Sequence, residues 1–262
     1  TSSLNFLVIG FCTGVCNGFA IPVSQMFGAK RDSELRRFVA NSAWLCVIFS
    51  VVITTAIVAC CRPLLTLMHT PEDIFADAYA YIMIISGGIL AQMLYNLLSS
   101  ILRAIGNSKI PLYFLIFSAL LNIVLDLVFI VVFGLGAAGA AIATVIAQGV
   151  SGVLCLVYIA AKIPVLHLKR EDFQVGSTIL LSQLHVGIPM ALQYSITAIG
   201  TMMVQSSLNI LGSTLVAAFT AAGKIEQLVT QGYAAMGTTM ATYGAQNMGA
   251  GAVQRIRQCF RA

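Results

Sequence analysis

Seven long apolar runs, separated by short polar stretches, organise this chain: residues 1–26, 38–61, 74–101, 110–133, 137–161, 180–211 and 227–246. Each lasts about 20 residues or more, the length a helix needs to cross a hydrocarbon core about 30 Å thick. Spanning β-strands would instead alternate polar and apolar positions over about ten residues. The pattern predicts an all-α integral membrane protein, a polytopic helix bundle with about seven spans. The start of the last span is open, because residues 215–222 are also apolar. Thr70-Pro71-Glu72-Asp73 reads as a helix start, with an N-cap, a first-position proline and acids in the first turn. The second run is almost uniformly apolar. The third carries Gln92, Tyr95, Asn96, Ser99 and Ser100 at helical spacing, a face turned toward the bundle or an aqueous cavity. Gln193, Gln205 and Asn209 mark a similar face on the sixth.

Composition sharpens the class. Of 262 residues, 59% are hydrophobic and 9% charged, against about 25% charged in a soluble domain. The net charge of +5 is spread along short loops, which is a topology signal and not a nucleic-acid patch. Loops after spans one, three, five and seven are positive, and the others are acidic, uncharged or balanced. That alternation predicts a multi-pass protein with the positive loops cytoplasmic. The seven cysteines lie mostly within apolar runs and lack metal-ligand spacing, so they read as packing residues with no structural metal. His69, His167 and His185 form no catalytic pair, and nothing resembles a nucleophile–base constellation, so no enzyme is expected.

One residue stands apart from this apolar background. Asp126 is the sole carboxylate between Asp77 and Glu171, and it falls inside the fourth run. Asn122 lies one turn earlier on the same helix face. Residues 134–136 form a tight Gly-Leu-Gly turn into the fifth run, which carries Thr144. In an antiparallel hairpin, Asp126 and Thr144 each lie nine residues from Leu135, so similar depths are expected, roughly 13 Å from the turn at 1.5 Å per residue. An acid at mid-membrane depth is costly to keep and points to function. Protonation would neutralise it, and its oxygens together with those of Asn and Thr equally suit a hard cation such as Na⁺.

The chain also repeats. Gln25, Gly28 and Ala29 recur 221 positions later as Gln246, Gly249 and Ala250, and Arg36 recurs as Arg257. Leu7-Val8 and Ala20 fall on Leu228-Val229 and Ala241. Both motifs end a span on the same predicted side, so the repeat is parallel, an arrangement found in transporters.

The paired motifs, Arg103-Ala104-Ile105-Gly106-Asn107 before Pro111, the Asn122/Asp126 span, Gly139-Ala140-Ala141 with Thr144, and Gly187-Ile188-Pro189 together resemble the multidrug and toxic compound extrusion (MATE) family, and within it the DinF-like bacterial group. The resemblance implies a twelve-helix, two-lobe fold of which this chain is a fragment. Residues 1–165 would form a first lobe lacking its first helix, 166–179 a cytoplasmic linker, and 180–262 the start of the second lobe. It implies a monomer in the lipid bilayer of the plasma (inner) membrane that exports amphipathic, often cationic small molecules, driven by H⁺ or Na⁺ and without a bound cofactor. Asn122, Asp126 and Thr144 then map onto the coupling site, whose first-helix carboxylate would precede Thr1. The glutamate that some relatives carry on their seventh helix is replaced here by Thr197, with Gln193 nearby. The alternative from a related fold is a lipid-linked oligosaccharide flippase, whose cavity should be lined with several basic residues.

Overall fold

The computed structural model describes residues 2–67, 72–210 and 213–259, and every regular element among them is helical. Helices α1 (Ser2–Gly28) and α2 (Asp32–Leu67) form the first hairpin. Asp32 and Glu34 in the opening turn of α2 favour the positive end of its dipole. The expected third span is not one straight helix. It divides into α3 (Glu72–Gly87) and α4 (Ile89–Ala104), bent by 46°. Gly87-Gly88 is the cause: two residues without side chains weaken the ladder, and the Cβ missing at Gly88 leaves room for Val145. The Ser86 carbonyl beside the bend accepts a 2.9 Å hydrogen bond from Thr54 Oγ1 on α2, so the break leaves this group satisfied inside the bundle. Glu72 opens α3, whereas Thr70 and Pro71, like His69, lie outside the described residues.

Helix α5 (Lys109–Asp126) continues as a π-helical segment, Leu127–Val132, before the turn. Gly134 and Gly136 take positive φ values of 67° and 52°, and α6 (Gly136–Lys162) returns antiparallel to α5. Two short 3₁₀ turns, Pro164–Leu166 and Arg170–Phe173, form the connection to α7 (Ser177–Ile210). Helix α8 runs unbroken from Ser213 to Gly249, absorbing residues 215–222 into one long helix, and α9 (Val253–Cys259) follows. Among the described residues four helices are long and apolar enough to cross a membrane, or five with the bent α3–α4 pair counted as one span. The chain is a multi-pass membrane protein.

The connection is stitched down. Asp172, 6% exposed, accepts the Lys169 backbone N–H at 2.8 Å and pairs with Arg36 Nε of α2 at 3.4 Å. Asn41 holds the Gln174 carbonyl and the Gly176 N–H, both at 3.4 Å. The fully buried Gln183 donates to the Phe38 carbonyl and to Ser42 Oγ at 2.9 and 2.6 Å.

The core lies where α1 meets α4 and α2, with Val15, Phe19, Ile89, Met93 and Leu35 fully buried. Helix α1 also runs against α7, and small residues set that distance. Gly10 faces Tyr194, Gly14 faces Met190 and Ala191, and Gly18 faces Gly187. The descending partner numbers make the pair antiparallel, a small-residue contact of the kind that lets membrane helices approach closely. In contrast, α5 shows exposed apolar side chains along its length, among them Leu112, Ile116, Leu120 and Ile123, the outward face expected of a helix in lipid.

Candidate functional site

The site grows from the α5–α6 hairpin. Helix α5 offers Ser118, Asn122 and Asp126 at four-residue intervals, one above the other on a single face. Helix α6 answers with Thr144, Gln148 and Ser151. Three cross-helix hydrogen bonds fix the register: Asn122 Nδ2 to Thr144 Oγ1 at 3.5 Å, Ser118 Oγ to the Ala147 carbonyl at 3.1 Å, and Ser151 Oγ to the Phe114 carbonyl at 3.4 Å. Thr144 spends its own proton on the Ala140 carbonyl at 2.9 Å, leaving its lone pairs toward Asn122.

This register corrects the expected depth match. Asn122, not Asp126, lies opposite Thr144, and continuing the same register puts Asp126 one turn nearer the hairpin turn, level with Ala140. The π-helical segment explains the offset, since it takes up extra residues between Asp126 and the turn that a symmetric α-hairpin would not. Asp126 is the last α-helical residue before it. Its side chain is half-buried, and its Oδ1 is buried without a hydrogen-bond partner among the described residues. The Gln148 Oε1, one turn beyond Thr144, is likewise buried and unpartnered. Asp126 Oδ1 is thus an acceptor that a proton or a hard cation can satisfy.

The other expected residues fare differently. Tyr95 is buried and donates to the Pro111 carbonyl at 3.3 Å, which ties α4 to the start of α5. Asn96 donates to the Gln92 carbonyl on its own helix at 2.9 Å. Gln193 is exposed on α7. Gln205 and Asn209 lie on α7, but their side chains fall outside the described residues. His167 Nε2 sits 2.8 Å from the Ala160 carbonyl, and His185 is exposed elsewhere on α7. No group of three metal-binding side chains exists among the described residues.

One polar node went unread in the sequence. Asn17 of α1 accepts from Ser100 Oγ at 2.8 Å and from Arg103 at 3.4 Å, and Arg103 also donates to Ser99 and Ser100 at 3.0 and 2.9 Å. Arg103 belongs to the last turn of α4, where the helix dipole favours a cation. Asn17, set between two apolar stretches, was the available signal.

The repeat is visible in backbone detail. Ala29, Lys30 and Arg31 donate to the carbonyls of Gln25, Phe27 and Met26, and the residues 221 positions on, Ala250, Gly251 and Ala252, donate to Gln246, Met248 and Asn247. Lys30 and Gly251, at matched positions, both adopt positive φ, 55° and 69°. The two spans end in the same left-handed cap.

A family model described as MatE matches residues 1–128. The chain is 31% identical over 257 residues to a probable multidrug resistance protein, YpnP, of Bacillus subtilis (strain 168), covering 98% of this chain and 57% of that protein. It is 27% identical over 211 residues to a probable multidrug resistance protein, NorM, of Thermotoga maritima, covering 75% of this chain and 43% of that protein. Its fold matches a multidrug resistance MATE family transporter of the MOP superfamily solved in an outward-facing conformation. That match has a TM-score of 0.88 and 25% identity, and covers 97% of this chain and 57% of that one. The matches thus span 43–57% of the length of these relatives. Its helical architecture, its repeat and these likenesses together make the chain similar to MATE-family transporters over nearly its whole length.

Proposed function

We propose that this chain carries the coupling site of a cation-driven antiporter that exports amphipathic, often cationic organic compounds by alternating access. The observation that carries the reading is the buried, unpartnered Oδ1 of Asp126 at the junction of α5 and its π-helical segment. A buried acceptor oxygen left without a donor is costly. Binding H⁺ or Na⁺ removes that penalty. Asn122 and Thr144, already paired one turn away, supply neutral oxygens on the same seam. The two states of Asp126 then differ in charge, which gives the bound ion a differential hold on two packings of α5 against α6. Small-molecule substrates would occupy the space between two lobes, and the positive loops would face the cytoplasm. No bound cofactor is required.

The test is gradient-driven efflux of a cationic dye from vesicles, comparing wild type with Asp126→Asn at matched expression, under imposed proton and then sodium gradients. The reading expects efflux under at least one gradient and its loss in the variant, with dye binding retained. Undiminished efflux by Asp126→Asn would remove Asp126 from the coupling role.

A further inference from the structure

The repeated Gln-x-x-Gly-Ala motif does more than mark symmetry. Helix α1 places Gly28 directly on the backbone carbonyl of Gln246, and helix α8 places Gly249 directly on the backbone carbonyl of Gln25. The two contacts exchange under the same 221-residue shift that relates the motifs. It is an isologous contact within one chain, in which each motif reads its own copy. Both glycines are needed for their missing side chains: a Cβ on either would collide with carbonyl oxygen, a backbone atom that cannot swing aside. A third link crosses the same place, from the Gln246 side-chain amide to the Ala104 carbonyl at the end of α4, at 2.7 Å. Beneath the crossing the chain is tightly closed, with Ser24 1% exposed and Ala245 6% exposed.

We propose that this reciprocal crossing is the latch that holds the loop-positive end of the transporter shut. The Gln25 and Gly28 turn of α1 and the Gln246 and Gly249 turn of α8 must part before that end can open. The inference rests on the alternating-access reading but not on Asp126. A contact made only of backbone and hydrogen atoms is short-ranged and closes in one register. It is firm when engaged, and it gives nothing once the helices separate by a side-chain's width. That behaviour suits a two-position element. The Lys30 and Gly251 caps keep the same geometry on both sides and so hold the two glycines in register. The amide of Gln246 ties the crossing to α4, whose last turn also bears Arg103.

The experiment uses the transporter in membrane vesicles of both orientations, without substrate or imposed gradient, so a failure of ion coupling cannot mimic a failure of the latch. Ser24→Cys provides the reporter, and its modification by a membrane-impermeant thiol reagent is read at its own peptide by mass spectrometry, leaving the native cysteines in place. Gly28→Ala and Gly249→Ala should each raise the rate of labelling by about tenfold, the factor that an overpacking cost of about 1.4 kcal/mol transfers to the open form. The rise should occur from the loop-positive face alone. Gly244→Ala, on α8 with open space around its Cβ, should leave the rate unchanged. Gln246→Met keeps the bulk while removing the hydrogen bond to Ala104, and should also raise labelling without a steric clash. Hydrogen–deuterium exchange gives a second reading: Gly28→Ala should speed exchange of amides 243–252, which are far away in sequence. Unchanged labelling at Ser24→Cys in all three latch variants would overturn the proposal. So would faster exchange confined to the substituted helix.

Discussion

Replacing Gly14 by alanine should weaken the packing of α1 on α7, although the same change stabilises most helices. A Cβ built at Gly14 lies 2.7 Å from Ala191 Cα and 2.8 Å from the Met190 carbonyl oxygen. Ordinary contact begins near 3.4 Å, so the helices must separate locally by about 0.7 Å. Both obstacles are backbone atoms, and no rotamer change relieves them. Overpacking of this kind costs about 1–3 kcal/mol. Alanine recovers up to about 1 kcal/mol of helix propensity, which leaves a net loss of up to about 2 kcal/mol. Gly18→Ala, whose Cβ would lie 2.5 Å from Gly187 Cα, should behave alike. Gly237→Ala on α8 has nothing within 4 Å of its Cβ and should stabilise by up to about 1 kcal/mol. The assay is reversible unfolding in mixed micelles, followed by helical circular dichroism. Opposite signs at Gly14 and Gly237 are the expected result. Stabilisation by Gly14→Ala of the size seen at Gly237 would refute the close approach of α1 and α7.

Three further perturbations follow from the same geometry. Thr54→Val removes the donor that satisfies the Ser86 carbonyl at the α3–α4 bend, and should lower stability by about 1–2 kcal/mol in the same micelle assay. Asp172→Ala strands Arg36 and frees the Lys169 turn; exchange of amides 163–176 should quicken, with a loss of about 2 kcal/mol in local stability. Lys30→Gly replaces a non-glycine residue at φ 55° and should raise the unfolding midpoint, the gain being up to about 1 kcal/mol.

Much of this arrangement was legible in the pattern of residues, because a membrane forces the backbone to bond within helices and so leaves few solutions for long apolar runs. Asp126 stood out for the same reason: a single acid in such a run has no bland solvent to face. Two things stayed hidden. The π-helical segment has no signature in Leu127-Val128-Phe129-Ile130-Val131-Val132, which would fit a regular helix equally well, and the register of Asp126 against α6 was therefore misplaced by a turn. The bend at Gly88 is the other: the Gly87-Gly88 pair permits it, but the Thr54 bond that satisfies the buried Ser86 carbonyl beside it comes from 32 residues away in sequence. Tyr95 shows the opposite limit: its spacing fits a cavity face, while its hydroxyl serves the Pro111 carbonyl. Pattern places a polar residue on a face. What that face meets depends on neighbours distant in sequence.

The most direct test of Asp126 as the coupling carboxylate is ion release on substrate binding. Purified transporter in weakly buffered detergent would be titrated with a cationic dye while proton and sodium activities are recorded, for wild type and for Asp126→Asn. Exchange at Asp126 predicts stoichiometric release of one of these ions by the wild type and none by the variant, which should still bind dye. Equal release from both proteins would contradict the assignment.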